Sequence, residues 1–175
     1  MQECNIIKEL YKSLKNTDFE NFDRIYFSVR DGRCKFNVEE IVPLCELLTY
    51  DYDYIEPLQS LKIVNMTFLT IKRYEPKMAF IELVKGLKII YNRSLDKKQE
   101  EMEEYIERYI SSFLSEYKDE DISILGNIIK KDESKAFKEH IVAIVEESME
   151  YYAEDDYVAK CTMLIECIKC YNSIQ

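Results

Sequence analysis

The residues best suited to recognise a partner are tyrosines with acidic neighbours. The chain has 14 tyrosines and no tryptophan. A tyrosine ring gives a large, rigid contact area and its hydroxyl a polar handle, while adjacent carboxylates complement lysine or arginine on another molecule. We therefore predict a partner-binding surface that comprises Tyr50, Asp51, Tyr52, Asp53, Tyr54, Asp119, Glu120, Asp121, Tyr151, Tyr152, Glu154, Asp155 and Asp156. Overall composition and core packing remain alternative origins of these tyrosines, because the whole chain is rich in Tyr and some of the rings belong to core stripes.

Catalytic motifs give no comparable signal. The sequence contains no GxxxxGK[ST], GxGxxG or GxSxG pattern. His140 is the one histidine, and it follows Glu139 on an amphipathic segment, which favours a structural or surface role. We predict no catalytic residue and no enzymatic activity.

The cysteines could in principle bind a metal ion. Cys167 and Cys170 are one helical turn apart, but Cys161 precedes Cys167 by six residues and faces elsewhere on a helix. A free cysteine in an apolar pattern behaves as a small hydrophobe, so core packing is the favoured interpretation. We expect no metal, no cofactor and, in a cytosolic protein, no disulfide framework.

A run of glutamates offers paired carboxylates. Glu101, Glu104 and Glu107 follow one another at a spacing that roughly shares a helix face. No Glu-x-x-His pair accompanies them, which a di-metal carboxylate bundle would need. A solvated helix face is the favoured interpretation. The acids at 119–121 and 154–156 lie at predicted helix starts, where the helix dipole also favours negative charge.

The net charge of −10 is unevenly distributed. Residues 1–92 carry 13 basic and 14 acidic side chains, a net of −1, whereas residues 93–175 carry 11 and 20, a net of −9. This excess opposes binding to nucleic acid or an anionic membrane and suits a basic protein partner, although solubility alone would also account for it. No apolar run is long enough to cross a membrane, so we expect a cytoplasmic protein.

Helices must position these residues. Only three Gly and three Pro occur, which disfavours the many tight turns of a strand-rich domain. We predict one all-α domain, 1–175, with about nine helices. The apolar spacing and cap signals place them at 2–15, 19–30, from Asn37, after the loop 50–54, from Pro76, 95–117, 120–130, 133–152 and 154–173.

Alternate helix starts recur at a nearly constant interval. Positions 37, 76, 119 and 154 are 39, 43 and 35 residues apart, and each interval holds about two helices. This period is typical of HEAT and armadillo repeats, in which stacked antiparallel hairpins bury a continuous core. The hypothesis is therefore a stacked hairpin array, or else a closed helical bundle.

Three segments resemble the helical, HEAT-like immunity proteins of bacterial polymorphic-toxin systems. They are LCELLTYDYDYIEPLQSLKIV (44–64), FIELVKGLKIIYNRS (80–94) and ISILGNIIKKDESKAFKEHIVAIVEES (122–148). The resemblance implies a cytosolic inhibitor that binds a cognate toxin domain and occludes its active site, without catalytic residues of its own. The alternative is a virus-encoded Bcl-2-like inhibitor of host signalling or apoptosis, and a helical enzyme with an unrecognised site is a third hypothesis. The sequence leaves the oligomeric state open.

Overall fold

A computed structural model describes residues 5–52, 55–95, 99–152 and 154–169. Within these ranges the chain forms nine α-helices and two short 3₁₀ helices, with no strand, which confirms the all-α prediction. The α-helices are α1 (Ile6–Lys15), α2 (Phe19–Arg30), α3 (Ile41–Glu46), α4 (Pro57–Ile71), α5 (Pro76–Ser94), α6 (Gln99–Glu116), α7 (Asp119–Lys130), α8 (Lys135–Tyr151) and α9 (Asp155–Lys169).

Most predicted helix boundaries agree with the structure because local capping chemistry sets them. Asp18 accepts from the Asn21 amide at the start of α2, and Gly32 takes a φ of 77° just after that helix ends. The cap signal at Asn37 is present as a capping box with Glu40, and the α-helix itself begins later, at Ile41. A 3₁₀ turn, Val38–Glu40, precedes α3 there, which places Pro43 in the first turn of the α-helix, where proline is tolerated.

Leu58, Leu61, Phe68 and Ile71 lie at helical spacing, which predicts that they form one buried stripe on α4. That prediction is partly wrong. Phe68 and Ile71 are buried as expected, but Leu58 and Leu61 are exposed. The helix instead buries Ile63, Val64 and Met66 together with small polar residues, because α4 is covered over most of its circumference. The residues at 58 and 61 lie on the uncovered side.

The chain divides into two compact units, Met1–Arg93 and Ser94–Gln175. The single-domain assignment made from chain length stays a prediction. Each unit has its own apolar core. That of the first includes Leu10, Leu14, Phe22, Ile41, Leu44, Ile63, Phe80 and Leu87, and that of the second includes Ile106, Tyr109, Phe113, Leu125, Ile129, Phe137, Ile141 and Leu164.

Within the first unit, helices two apart in sequence run parallel. Lys62 Nζ of α4 lies 2.7 Å from Asp23 Oδ1 of α2, and one turn further along both helices Asn65 donates to the Tyr26 hydroxyl at 3.5 Å. The contacts therefore advance in the same direction at a constant offset of 39 residues. Stacked hairpins produce such an arrangement, so these contacts favour the predicted repeat within this unit.

The second unit repeats the pattern with α7 and α9. Ser123 contacts Met163, with the Ser Oγ 3.8 Å from the Met Sδ, and Gly126 lies against Cys167. The offsets are 40 and 41 residues, so these two helices also run parallel. Ser148 and Tyr157 join the end of α8 to the start of α9 through hydroxyls 2.6 Å apart.

Two glycines allow helices to approach closely, Gly126 between α7 and α9 and Gly86 between α3 and α5. A Cβ at Gly126 would stand 2.6 Å from Cys167 Cβ, and a Cβ at Gly86 of α5 would stand 2.5 Å from Cys45 Sγ and 2.8 Å from Cys45 Cβ of α3. These separations are shorter than ordinary van der Waals contact. Because the atoms are at or next to the backbone, one helix would have to move to admit even a methyl group.

This geometry predicts that replacing either glycine by alanine lowers the stability of the protein, which is opposite to the usual effect in a helix. Ordinarily, Gly→Ala inside a helix stabilises it by about 1 kcal/mol. Gly126→Ala and Gly86→Ala should instead lower the free energy of unfolding by about 1–3 kcal/mol, since overpacking dominates. Urea denaturation followed by circular dichroism measures the change. Stabilisation in either variant would contradict the close approach at that site.

Candidate functional site

The predicted tyrosine and acidic residues of the second unit meet at one end of it. Because α7 and α9 run parallel, their acidic first turns, Asp119–Asp121 and Asp155–Asp156, lie at the same end. The turn that joins α8 to α9 is there as well, since Tyr157 at the start of α9 contacts Ser148 near the end of α8. We call this set the acidic end, and it consists of Asp119, Glu120, Asp121, Tyr151, Tyr152, Glu154, Asp155 and Asp156.

Most side chains of the acidic end are open to solvent. Tyr151 is 74% exposed and Tyr152 is 52% exposed, and all the carboxylates except the half-buried Asp121 are exposed. Asp156 pairs with Lys160 at 3.6 Å, which offsets one charge. The Tyr152 ring packs against the Tyr157 ring with their centroids 5.1 Å apart, so one exposed ring is partly ordered by the fold.

Tyr117 lies just before α7 and is half-buried. The pKa of its hydroxyl is raised to about 12, chiefly by burial and further by the carboxylates of Glu116 and Asp121. A phenolate is disfavoured beside negative charges because it would repel them.

The predicted residues of the first unit have mixed roles. Tyr50 is half-exposed, and its ring meets that of Tyr11 edge-on with centroids 5.1 Å apart. Burial raises the pKa of Tyr50, and the Glu46 carboxylate raises it further. Asp51 is exposed. Tyr52 is buried and donates its hydroxyl to the Leu47 carbonyl at 2.8 Å, so it holds the loop together. Asp53 and Tyr54 lie outside the described residues.

A feature missed from the sequence is a groove between α6 and α8. It has a volume of about 380 Å³, and it is lined by Glu100, Glu103, Glu104, Glu107, His140, Ala143, Ile144 and Glu147. Glu104 and Glu107 of the predicted set line the groove together with Glu100 and Glu103. The i, i+3, i+4, i+7 spacing of those four glutamates was the available signal.

His140 is the one histidine in the sequence, and it lines this groove. Burial lowers its pKa, and the Glu103 carboxylate opposes that shift with a smaller effect. The lowered pKa favours the neutral form of the imidazole at pH 7. Among the described residues no group of three or more His, Cys, Asp or Glu could hold a metal ion.

The cysteines of the second unit contribute to packing. Cys161 is fully buried, and burial raises the pKa of its thiol. Cys167 lies at the close approach with Gly126. Cys4 and Cys170 are outside the described residues. In the described part of the chain, no helix combines the length and apolar character that crossing a membrane would require.

Comparison of the chain with protein-family models, curated proteins and solved structures gives no match.

Removing the tyrosine hydroxyl should lower the stability of the protein at Tyr157 but not at Tyr151. Tyr157→Phe removes one partner of the buried 2.6 Å hydroxyl pair with Ser148, and it should lower the free energy of unfolding by about 1–3 kcal/mol. Tyr151→Phe is the matched control and should be neutral, because the ring is exposed. Equal stabilities of the two variants in urea denaturation would contradict this assignment.

The single histidine allows a direct titration. The ¹H NMR signal of the His140 ring should titrate with a pKa below its ordinary value of 6.5. Because the unfolded chain then binds the proton more tightly, stability is lost as pH falls through 6.5 toward the folded pKa. Wild type should therefore lose more stability than His140→Gln over that interval. A measured pKa at or above 6.5 would show that burial is not the main influence on the pKa of His140.

Proposed function

We propose that this protein is a non-enzymatic inhibitor that binds a basic protein partner through the acidic end and blocks that partner by occlusion. In this proposal it acts as an immunity protein does toward its cognate toxin domain. The observation that carries the proposal is the exposure of Tyr151 and Tyr152 beside the carboxylates of two parallel helix starts.

Exposed tyrosine rings support a protein partner. Tyrosine is enriched among the residues that dominate binding energy at interfaces, so two adjacent exposed rings favour contact with a protein. The contact between the Tyr152 and Tyr157 rings limits the motion of one anchor, which reduces the entropy lost on binding. The hydroxyls offer hydrogen bonds at the rim of such a contact.

The distribution of charge supports a basic partner. The first unit carries 14 basic and 14 acidic residues, so the second, with 10 and 20, holds the whole net charge of −10. Opposite charge on a partner would accelerate association and orient the encounter, and salt would weaken both effects. A basic cleft such as one that binds nucleic acid is the kind of active site that this surface could cover.

The proposal predicts a local loss of affinity. Tyr151→Ala combined with Asp155→Lys should weaken partner binding more than tenfold, about 1.4 kcal/mol, without changing helicity. The matched control is Glu133→Lys, which makes the same charge reversal at the opposite end of α8. Titration calorimetry measures both. Equal loss in the two variants would show that net charge alone is involved, and an unchanged affinity would remove the acidic end from consideration.

The partner is identified by pull-down with tagged protein at low and high salt, followed by mass spectrometry. A basic toxin-like protein that is retained at low salt and depleted at high salt is the expected result. Recovery of host signalling proteins instead would favour the Bcl-2-like alternative and contradict the proposal.

A further inference from the structure

Helices α2 and α4 of the first unit present an apolar stripe that this unit leaves uncovered. Leu58 is 52% exposed, Leu61 is 45% exposed and Phe27 is 38% exposed. Leu58, Leu61 and Lys62 share one side of α4, and Lys62 reaches across to α2. The stripe therefore extends over two parallel helices.

The aromatic part of this stripe is held in place by cations. Lys62 is mostly buried, its Nζ is 2.7 Å from Asp23 Oδ1, and it lies 5.7 Å from the centre of the Phe27 ring. The Arg30 guanidinium lies 4.6 Å from the same ring. These contacts restrict the ring before anything binds, so Phe27 can serve as an anchor at a small entropic cost.

Charge is graded along the stripe. Because α2 and α4 are parallel, their first turns lie at one end, where Asp18, Glu20 and Glu56 supply negative charge. Their last turns lie at the other end, where the exposed basic residues are Arg30, Arg33, Lys72 and Arg73. Asp31 pairs with Arg30 and Arg33 and offsets part of that charge. Such a gradient complements the helix dipoles, but the dipoles give no reason for the exposed leucines.

We propose that this face docks one amphipathic helix of a partner protein, which runs antiparallel to α2 and α4. An ordinary helix has acidic residues in its first turn and basic residues in its last turn. Only the antiparallel direction places its acidic turn on the arginines at the ends of α2 and α4 and its basic turn on Asp18, Glu20 and Glu56. Its apolar side chains, spaced three and four residues apart, then cover Leu58, Leu61 and Phe27. This surface is separate from the acidic end and does not rest on the proposed function.

The test uses two synthetic peptides of identical composition. Both carry leucines at helical spacing, and one has Glu in its first turn and Lys in its last, while the other has these exchanged. Fluorescence anisotropy with the full chain should show at least tenfold tighter binding of the first peptide. A spin label at its N-terminus should broaden NMR signals near Arg30 and Lys72 rather than near Asp18. Equal affinity for the two peptides, broadening at the other end, or no binding of either would overturn the proposal.

Matched variants localise the contact. Leu58→Ser with Leu61→Ser should reduce affinity for the first peptide at least tenfold. The control, Met78→Ser with Ile81→Ser, removes two comparably exposed apolar side chains from α5 and should leave affinity unchanged. Circular dichroism checks that both variants keep their helices. Equal losses in the two variants would show non-specific adhesion and would also overturn the proposal.

Discussion

The close approach of two helices at a glycine is the constraint on which the arrangement of each unit depends. Gly126 lets α9 lie against α7 at Cys167, and Gly86 lets α5 lie against α3 at Cys45. Each contact joins helices that are two apart in the chain, at an offset of 41 residues. A packed contact without room for a methyl group fixes the register along the helix axes, because sliding by one turn would place larger side chains against each other. In the second unit, that register brings the acidic first turns of α7 and α9 to the same end.

The tyrosines show how one residue type serves two purposes in such a fold. Tyr52 and Tyr157 are buried, and each satisfies its hydroxyl with a hydrogen bond to a nearby group. An unsatisfied hydroxyl in the core would be costly, so these rings are tied to particular partners. Tyr151 and Tyr152 stand in solvent only a few residues from Tyr157. The same local composition thus supports a structural hydroxyl pair and, beside it, a surface suited to contact with another protein.

The two units differ in the surfaces that they offer. The first has no net charge, and its exposed leucines and phenylalanine lie between an acidic and a basic end. The second holds all the net charge of the chain and presents aromatic rings among carboxylates. Apolar contact and orientation dominate recognition at a surface of the first kind, whereas long-range attraction and salt sensitivity dominate at the second.

The sequence by itself determined the helices, since caps and apolar spacing act within a few residues. Asp18 and Gly32 mark the two ends of α2 through local cap chemistry, and the apolar spacing from Phe80 to Tyr91 marks the buried face of α5. Tertiary packing decided which residues of a pattern face solvent. Leu58 lies at the spacing of a buried stripe but is exposed, and Tyr52 lies in an acidic segment predicted to bind a partner but is buried. The packing of neighbouring elements determines which side of each segment is covered. Tertiary packing also decided that Glu103 faces His140 and that the acidic first turns of α7 and α9 lie at the same end. These contacts join residues 37 to 41 positions apart, so they depend on the register between helices, which local sequence spacing does not encode.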